Sequence, residues 1–303
     1  MKIAIVTELP REGFRRLAGH TLYAPLEEAE VLVSTFDKKV SRDMIASMPH
    51  LRLIANFGAG FNNIDLEACR ERGIRVTNTP QPVIEPTAEL AFALMIDVAR
   101  RISEFDRALR QGTCEPMAVM NNLSHSLYGK TLGILGMGRI GQALARRAKA
   151  SGMNIIYNNR HPLSADIEAR YNARYVDFQI LLQNSDFLSL NLPYTPEVHH
   201  IIGKPELGMM KRSAYLINTA RGAHVDEAAL IEALQSGILA GAALDVYEFE
   251  PRISDALLTL PNVVLSPHTG TGTMEGRLAM CENVCDNILA FLNNHPEQMN
   301  LVL

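Results

Sequence analysis

Short apolar runs alternate along this chain with longer segments whose apolar residues recur at helical spacing. The runs lie at residues 2–6, 30–34, 53–56, 75–77, 131–135, 153–157, 186–190, 214–218, 240–246 and 263–266. Strands that read as continuous apolar runs are typical of parallel sheets covered by helices on both faces. The alternation of strand and helix therefore predicts an α/β protein.

A long helical pattern and a polar stretch separate the strands into two series. The helical pattern covers residues 86–110, with Pro86 at its start and Gly112 just after its end. Proline is favoured at the first position of a helix and glycine just after the last. The polar stretch follows at residues 112–129. The sequence thus predicts one long helix between the two series.

A second helical pattern, at residues 273–294, follows the last strand and can return the chain to the first series. We therefore expect two doubly wound parallel-sheet domains, of the Rossmann or flavodoxin type, with a cleft between them. The expected substrate-binding domain is discontinuous and covers residues 1–95 plus 281–303. Residues 96–280 form the expected dinucleotide-binding domain.

Composition and charge exclude several classes of function. The hydrophobic content of 47% and charged content of 20% are those of a compact folded protein. The formal net charge of -4 provides no basic field for nucleic acid or an anionic membrane surface. We expect neither a nucleic-acid partner nor a membrane partner.

The N-terminus and the cysteines indicate a cytoplasmic protein. The first apolar run is ended by Pro10, which favours a strand over a secretory signal. The four cysteines contain no CxxC pair, as expected for a reducing compartment. Cys281 and Cys285 would share a helix face, but no histidine or acidic cluster at ligand spacing accompanies them. We interpret them as core residues and expect no metal.

The segment Gly136-Met137-Gly138-Arg139-Ile140-Gly141 follows a predicted strand directly and opens a helical pattern. In this context the first glycine permits a tight turn, the second a close approach of the backbone to a pyrophosphate, and the third close packing of helix and strand. The helix N-terminus then offers unpaired N–H groups and a positive dipole end to phosphate. This segment predicts a dinucleotide site.

The end of the next predicted strand bears on which dinucleotide is bound. Enzymes that use NAD place an acidic residue there, about 20 residues after the glycines, to hold the ribose hydroxyl. This chain has Asn158, Asn159 and Arg160 instead. A neutral side chain does not repel a 2′-phosphate, and an arginine can pair with it. NADP(H) is therefore favoured as cofactor, with NAD(H) as the alternative.

Several segments together resemble the D-isomer-specific 2-hydroxyacid dehydrogenase family, in the family's order and over nearly the whole chain. Besides the glycine segment these are residues 56–65 (NFGAGFNNID), 193–197 (PYTPE), 218–222 (NTARG), 243–251 (ALDVYEFEP) and 266–270 (SPHTG). The resemblance implies an oxidoreductase that transfers a hydride from NAD(P)H to a small 2-keto acid, giving a D-2-hydroxy acid.

The resemblance also implies three catalytic residues. His268 matches the family's acid–base group, and an imidazole suits a proton transfer at neutral pH. Glu250 matches the acid that orients this histidine. Arg221 matches the arginine that holds the substrate carboxylate and carbonyl, for which a planar, permanently charged fork is suited.

Further contacts are implied by the same resemblance. Gly58, Ala59 and Gly60 match the loop whose backbone amides receive the substrate carboxylate. Asp245 matches the residue that hydrogen-bonds the nicotinamide carboxamide. The remaining cofactor contacts implied on the second domain are Leu192, Pro193, Thr219, Ala220, His268 and Gly270.

Two departures from the family pattern concern the cofactor and the pocket. Asn191 stands where many members have a histidine, two residues before Pro193. The chain contains no tryptophan, although relatives often have one near the substrate. Met117, Met120 or Leu123 are candidates to line the pocket instead.

The favoured activity is glyoxylate/hydroxypyruvate reductase, because residues 158–161 resemble the adenosine pockets of NADPH-preferring members. Alternatives within the family are 2-ketogluconate reductase and D-lactate dehydrogenase. A different class, a dinucleotide-sensing protein like the superfamily's corepressors, also fits the cofactor motif. The family resemblance further implies a homodimer through the cofactor domain.

Overall fold

A computed structural model describes residues 1–117 and 119–303. The chain forms two compact units, Met1–Pro86 with Thr271–Leu303, and Thr87–Gly270. The boundaries expected from the sequence, after residues 95 and 280, lie within the helices Ile84–Arg100 and Met274–Leu292, further along the chain than the limits of these units. The assignment of substrate to one unit and cofactor to the other stays a prediction.

The strands and helices alternate along both units. The strands are β1 (Lys2–Ile5), β2 (Thr21–Leu22), β3 (Val31–Thr35), β4 (Leu53–Phe57), β5 (Arg75–Thr77), β6 (Thr131–Leu135), β7 (Asn154–Asn158), β8 (Ala173–Tyr175), β9 (Phe187–Leu190), β10 (Tyr215–Asn218), β11 (Gly241–Leu244) and β12 (Val263–Leu265). The helices are α1 (Arg42–Ala46), α2 (Leu66–Glu71), α3 (Ile84–Arg100), α4 (Ile102–Arg110), α5 (Arg139–Ala150), α6 (Ala165–Tyr171), α7 (Phe178–Asn184), α8 (Lys204–Met209), α9 (Glu227–Gln235), α10 (Asp255–Thr259) and α11 (Met274–Leu292). Short 3-10 helices lie at Arg11–Leu17, Leu26–Glu28, Pro196–Val198, Gly222–His224 and Pro296–Gln298.

The sheet of the first unit is parallel, with strand order β2-β1-β3-β4-β5. This is the order of flavodoxin-like folds. Its central strands β3 and β4 are buried along their whole length, as their continuous apolar pattern predicts. The core beside them includes Ile45, Ile54 and Val76.

Cys281 and Cys285 belong to the core of the first unit, as interpreted from the sequence. Both thiols are buried and free on α11, and burial raises the pKa of each to about 12. α11 approaches the 3-10 helix Arg11–Leu17 so closely that a Cβ on Gly13 would lie 2.3 Å from the Cβ of Cys281. A larger residue at Gly13 would therefore separate the two elements.

The sheet of the second unit is also parallel, with strand order β12-β11-β10-β9-β6-β7-β8. Its first strand, β6, lies between β7 and β9. The chain therefore adds β7 and β8 on one side of β6 and β9 to β12 on the other side, as in a Rossmann sheet. Ligands of such sheets bind outside the carboxyl ends of the strands at this point of reversal. The expectation of two doubly wound α/β units is confirmed.

The prediction of one continuous helix over residues 86–110 is wrong. α3 ends at Arg100 and α4 begins at Ile102, with Arg101 between them in the left-handed region at φ 57°. The Arg101 guanidinium pairs with Glu104 and donates to the carbonyl of Leu123 at 2.9 Å.

In the part of the chain that is described, no helix is long and apolar enough to cross a membrane.

Candidate active site

The turn after β6 requires glycine at position 136. Gly136 has φ +92°, and a Cβ there would lie 2.8 Å from the backbone nitrogen of Leu192 and 2.9 Å from the carbonyl carbon of Asn191. Residues 191 and 192 follow β9, so the turn and this segment meet at the point where the strand order reverses. Any side chain at position 136 would separate them.

The other two glycines of the segment differ in their surroundings. A Cβ on Gly141 would lie 2.6 Å from the carbonyl oxygen of Gly136, so the third glycine permits close packing of α5 against the turn. A Cβ on Gly138, the N-cap of α5, would meet nothing within 4 Å. The open space lies at a helix N-terminus with no acidic residue in its first turn. These residues fit a dinucleotide pyrophosphate.

The end of β7 is tied to the glycine turn by hydrogen bonds. The backbone N–H of Met137 donates to Asn159 Oδ1 at 2.6 Å, and that of Gly136 donates to the carbonyl of Asn158 at 3.0 Å. The Asn158 amide donates to the carbonyl of Val176 at 2.8 Å. Arg160 is exposed beside them. The structure therefore brings the predicted adenosine-side residues next to the predicted pyrophosphate turn.

His268 and Glu250 form a hydrogen-bonded pair. His268 Nδ1 lies 2.9 Å from Glu250 Oε2, and the other carboxylate oxygen of Glu250 accepts from the backbone N–H of Tyr247 at 3.0 Å. The imidazole follows β12 and the carboxylate follows β11, which are neighbouring strands. Because Nδ1 faces the carboxylate, Nε2 is the nitrogen that would exchange a proton with a substrate.

Asp245 fixes the loop that carries His268. Its buried carboxylate accepts hydrogen bonds from the backbone N–H groups of Thr269 and Gly270, both at 2.8 Å. His268 itself has φ 55°, in the left-handed region that is uncommon for residues other than glycine, although asparagine, aspartate and histidine adopt it more often than the rest. The carboxylate therefore holds the backbone immediately after this residue in place. Its implied contact with a nicotinamide carboxamide stays a prediction.

Arg221 follows β10 in a turn that Asn218 holds from both ends. The Asn218 amide donates to the carbonyl of Arg221 at 2.9 Å, and its oxygen accepts from the N–H of Ala220 at 3.0 Å. Burial lowers the pKa of the Arg221 guanidinium, while the negative charge of Glu250 acts in the opposite direction. Arg221 therefore interacts electrostatically with Glu250, the carboxylate that is hydrogen-bonded to His268.

Gly222 explains how the arginine turn packs against the segment that carries Glu250. A Cβ on Gly222 would lie 1.9 Å from the carbonyl carbon of Tyr247 and 2.4 Å from the nitrogen of Glu248. Residues 247 and 248 therefore lie directly against the turn after Arg221, two residues before Glu250. The three catalytic candidates thus come from three adjacent strands and lie on neighbouring segments of one unit.

The loop Gly58-Ala59-Gly60 belongs to the first unit. The buried Asn56 amide donates to the carbonyls of Gly58 and Gly60, at 3.2 and 2.8 Å, and the Asn78 amide donates to the carbonyl of Ala59 at 2.8 Å. Two asparagine side chains therefore fix the peptide carbonyls of this loop. Its role in receiving a substrate carboxylate stays a prediction.

The other expected contacts lie as follows in the second unit. The side chain of Asn191, which directly follows β9, points back along the strand, because its amide donates to the carbonyl of Ser189 at 3.2 Å. Met117, Met120 and Leu123, expected near the pocket, are exposed. The remaining cofactor candidates are Arg139 and Pro193, which are exposed, Ile140, Leu192 and Ala220, which are partly buried, and Thr219 and Gly270, which are buried.

Sequence reasoning missed two features close to these segments. His224 is fully buried in the 3-10 helix after Arg221. His199, His200 and Glu248 place one possible ligand atom each within 4.8 Å of one another. The adjacent histidines were visible in the sequence, but Glu248 is 48 residues away from His200, so no local spacing indicated the group.

Comparison with known proteins gives one family match and several similar chains. Residues 92–270 match the family model described as D-isomer specific 2-hydroxyacid dehydrogenase, NAD binding domain. The chain is 48% identical to a glyoxylate reductase from Thermococcus litoralis, over 96% of this chain and 93% of that protein.

Two solved structures are also similar over nearly the full length. One is the TT0316 protein from Thermus thermophilus, with TM-score 0.93, 38% identity and complete coverage of both chains. The other is an NADPH-dependent glyoxylate/hydroxypyruvate reductase from Sinorhizobium meliloti in complex with NADP and malonate. Its TM-score is 0.86 and its identity 32%, over 96% of this chain and 93% of that one.

Proposed function

Since the chain belongs to the D-isomer specific 2-hydroxyacid dehydrogenase family, we propose that within it the protein is a glyoxylate/hydroxypyruvate reductase that prefers NADPH. The family membership makes it an oxidoreductase that binds a nicotinamide dinucleotide and acts on small 2-keto or 2-hydroxy acids. The substrate, the cofactor preference and the residue roles are the proposal.

The His268–Glu250 hydrogen bond at 2.9 Å is the observation on which the catalytic proposal rests. A bound nicotinamide supplies the hydride for the carbonyl carbon. His268 Nε2 then gives a proton to the carbonyl oxygen, and Glu250 keeps Nδ1 protonated and the ring oriented. In the reverse direction the same nitrogen removes the proton from the hydroxyl group.

Arg221 is proposed to bind the substrate carboxylate. A guanidinium offers two parallel N–H donors to a carboxylate and stays charged even when burial lowers its pKa. The hydrogen bonds from Asn218 fix the turn from which the side chain extends. In the first unit, the backbone amides of Gly58, Ala59 and Gly60 are proposed as donors to a substrate carboxylate.

The preference for NADPH rests on the end of β7. Asn158 is neutral, so this position has no carboxylate that would repel a 2′-phosphate. Its amide donates a hydrogen bond to the carbonyl of Val176. Arg160 is exposed and available to pair with that group. The similar enzyme from Sinorhizobium meliloti is described as NADPH-dependent, which supports the same assignment.

A homodimer through the second unit is also part of the proposal. The stretch from Ile102 to Tyr128 exposes several large apolar side chains, namely Ile102, Leu109, Met117, Val119, Met120, Leu123 and Tyr128. We propose that these side chains form the contact between two chains, since contiguous exposed apolar patches mark interaction surfaces. Light scattering should give the mass of two chains, and Met120→Lys should shift the protein toward the mass of one. A monomeric parent protein would refute this part.

A keto-acid panel assayed in parallel with NADPH and NADH tests the proposed function. Glyoxylate, hydroxypyruvate, 2-ketogluconate and pyruvate are the substrates, and kcat/KM is the quantity compared. Glyoxylate or hydroxypyruvate with NADPH should give the highest value. A higher value for 2-ketogluconate or pyruvate refutes the substrate, and a higher value with NADH refutes the cofactor preference. Tight NAD(H) binding without turnover would favour a sensing protein.

A further inference from the structure

A group of two histidines and one glutamate lies on the second unit, outside the three catalytic candidates. His200 Nε2 is 2.6 Å from Glu248 Oε1, and the ring of His199 stacks on that of His200 with centroids 3.9 Å apart and an interplanar angle of 21°. One possible ligand atom from each residue lies within 4.8 Å of the others. His199 is exposed, so an ion in solution can reach the group.

An ion pair alone does not explain the second imidazole. Glu248 pairs with His200 at 2.6 Å, whereas the ring of His199 stacks on the His200 ring instead of pairing with the carboxylate. Two neutral imidazoles and one carboxylate are, in contrast, a ligand set that binds a divalent transition metal. Bound metal would satisfy both rings at once.

Each end of the group is oriented by a further hydrogen bond. His199 Nδ1 lies 3.3 Å from the Tyr194 hydroxyl, which leaves its Nε2 for another partner. Glu248 Oε2 accepts from the backbone N–H of Glu227 at 3.1 Å. Histidine and carboxylate ligands of metals generally have such outer partners, which fix the ligand atoms toward the ion.

The backbone that carries the histidines is also fixed. The N–H of His200 donates to the carbonyl of Ala223 at 2.9 Å, and that of Ile202 donates to the carbonyl of His224 at 3.0 Å. His200 has φ 51°, in the left-handed region that residues other than glycine adopt infrequently. Residues held in this region often lie at functional sites.

We propose that His199, His200 and Glu248 form a binding site for a zinc-like divalent transition metal. Zinc ligands at about 2.0–2.2 Å from the ion lie roughly 3.4 Å from one another, so binding requires the exposed His199 ring to leave its stacked position on His200 and turn its Nε2 toward the ion. Three protein ligands leave a fourth position for water. The ion would tie the segment around Tyr194 to Glu248, two residues before Glu250.

Calorimetric titration of the full chain with Zn²⁺ tests the proposal. The protein is first freed of metal with a chelator, which is then removed, and the titration is done at pH 7.5 in a buffer that does not bind zinc. We expect one site per chain. The affinity should fall at pH 6, because protons compete with the metal for the imidazoles. Mg²⁺ should not compete, since it prefers oxygen ligands.

Two variants remove ligands and one serves as a matched control. His199→Ala and Glu248→Gln should each weaken Zn²⁺ binding at least as much as the loss of an outer partner does, about ten- to hundredfold. His295→Ala should leave the affinity unchanged. His295 is also an exposed histidine paired with a carboxylate, that of Glu297 at 3.0 Å, but it belongs to the first unit.

Absorption by Co²⁺ gives an independent readout. Cobalt in a site with imidazole and carboxylate ligands should show visible bands that Zn²⁺ displaces in the parent protein and that are lost in His199→Ala. The proposal is overturned if the parent protein binds no stoichiometric zinc. It is also overturned if His199→Ala and Glu248→Gln, folded by circular dichroism, bind as tightly as His295→Ala.

Discussion

His224 should make the stability of the protein depend on pH in a way that one substitution removes. The residue is fully buried directly after the arginine turn. Burial, and secondarily the positive charge of Arg221, lowers the pKa of its imidazole from 6.5 to about 4, while the Pro193 backbone acts in the opposite direction. The folded protein therefore holds this ring neutral where the unfolded chain protonates it.

The direction of the effect follows from this difference. Between pH 6.5 and about 4 the unfolded chain binds a proton at His224 that the folded chain does not, so acidification favours unfolding. The stabilisation is complete above pH 6.5 and is lost as the pH falls toward the folded value. From pH 7.5 to 5 the loss is about 2 kcal/mol, since one pKa unit corresponds to about 1.4 kcal/mol.

Urea unfolding of the parent protein and of His224→Leu, followed by circular dichroism at pH 7.5 and pH 5, measures this loss. The parent should lose about 2 kcal/mol more than the variant, because leucine does not titrate. Groups that both proteins share, such as the buried Glu227, cancel in the comparison. His161→Leu, which removes an exposed histidine of the same unit, is the control and should behave as the parent. An equal loss in parent and His224→Leu would refute the reasoning.

Four further substitutions test the active site. His268→Asn should lower kcat about 10²- to 10⁴-fold, which is the usual contribution of a general acid. The affinity for NADPH, measured by fluorescence titration, should change little. Asparagine is chosen because it tolerates the left-handed backbone at this position. Arg221→Gln should raise KM for keto acids about ten- to hundredfold in steady-state assays, since a hydrogen bond to a charged group contributes about 1.5–3 kcal/mol. Arg160→Ala should weaken NADPH binding about tenfold or more and leave NADH binding unchanged, because only NADPH has the 2′-phosphate. Gly136→Ala should reduce the free energy of unfolding by about 1–3 kcal/mol in urea titrations, because its Cβ would lie 2.8 Å from the backbone of Leu192.

Each of these has an outcome that contradicts it. Retained turnover in His268→Asn would remove that residue as the acid, and an unchanged KM in Arg221→Gln would place the substrate carboxylate elsewhere. An equal effect of Arg160→Ala on both cofactors would remove its phosphate role. Arg170→Ala, an exposed arginine of the same unit, is the control for that variant. Gly136→Ala as stable as the parent would mean that the turn can move.

The parts of the fold that sequence predicted are those with a strong local signal. The buried strands of both units are continuous apolar runs, and the glycines at 136 and 141 stand where a side chain has no room. Such patterns reflect burial and steric exclusion, which act on the residues themselves. The positions of Arg221, Glu250 and His268 came from resemblance, and the structure places these residues on neighbouring segments.

The features that sequence did not predict depend on distant partners. Arg101 is an ordinary helix residue, but its pairing with Glu104 and Leu123 accompanies a left-handed break that no local preference indicates. The strands β2 and β8, of two and three residues, form where they pair with β1 and β7. The group around His200 forms only when Glu248 comes next to it in the fold.

The carboxylate of Asp245 has a consequence for how variants of this enzyme are interpreted. Both of its oxygens accept from the peptide groups just after His268, so a change at Asp245 displaces the imidazole whether or not the side chain ever contacts a cofactor. Lost turnover in an Asp245 variant would therefore be explained by a displaced His268 ring as well as by a lost ligand contact.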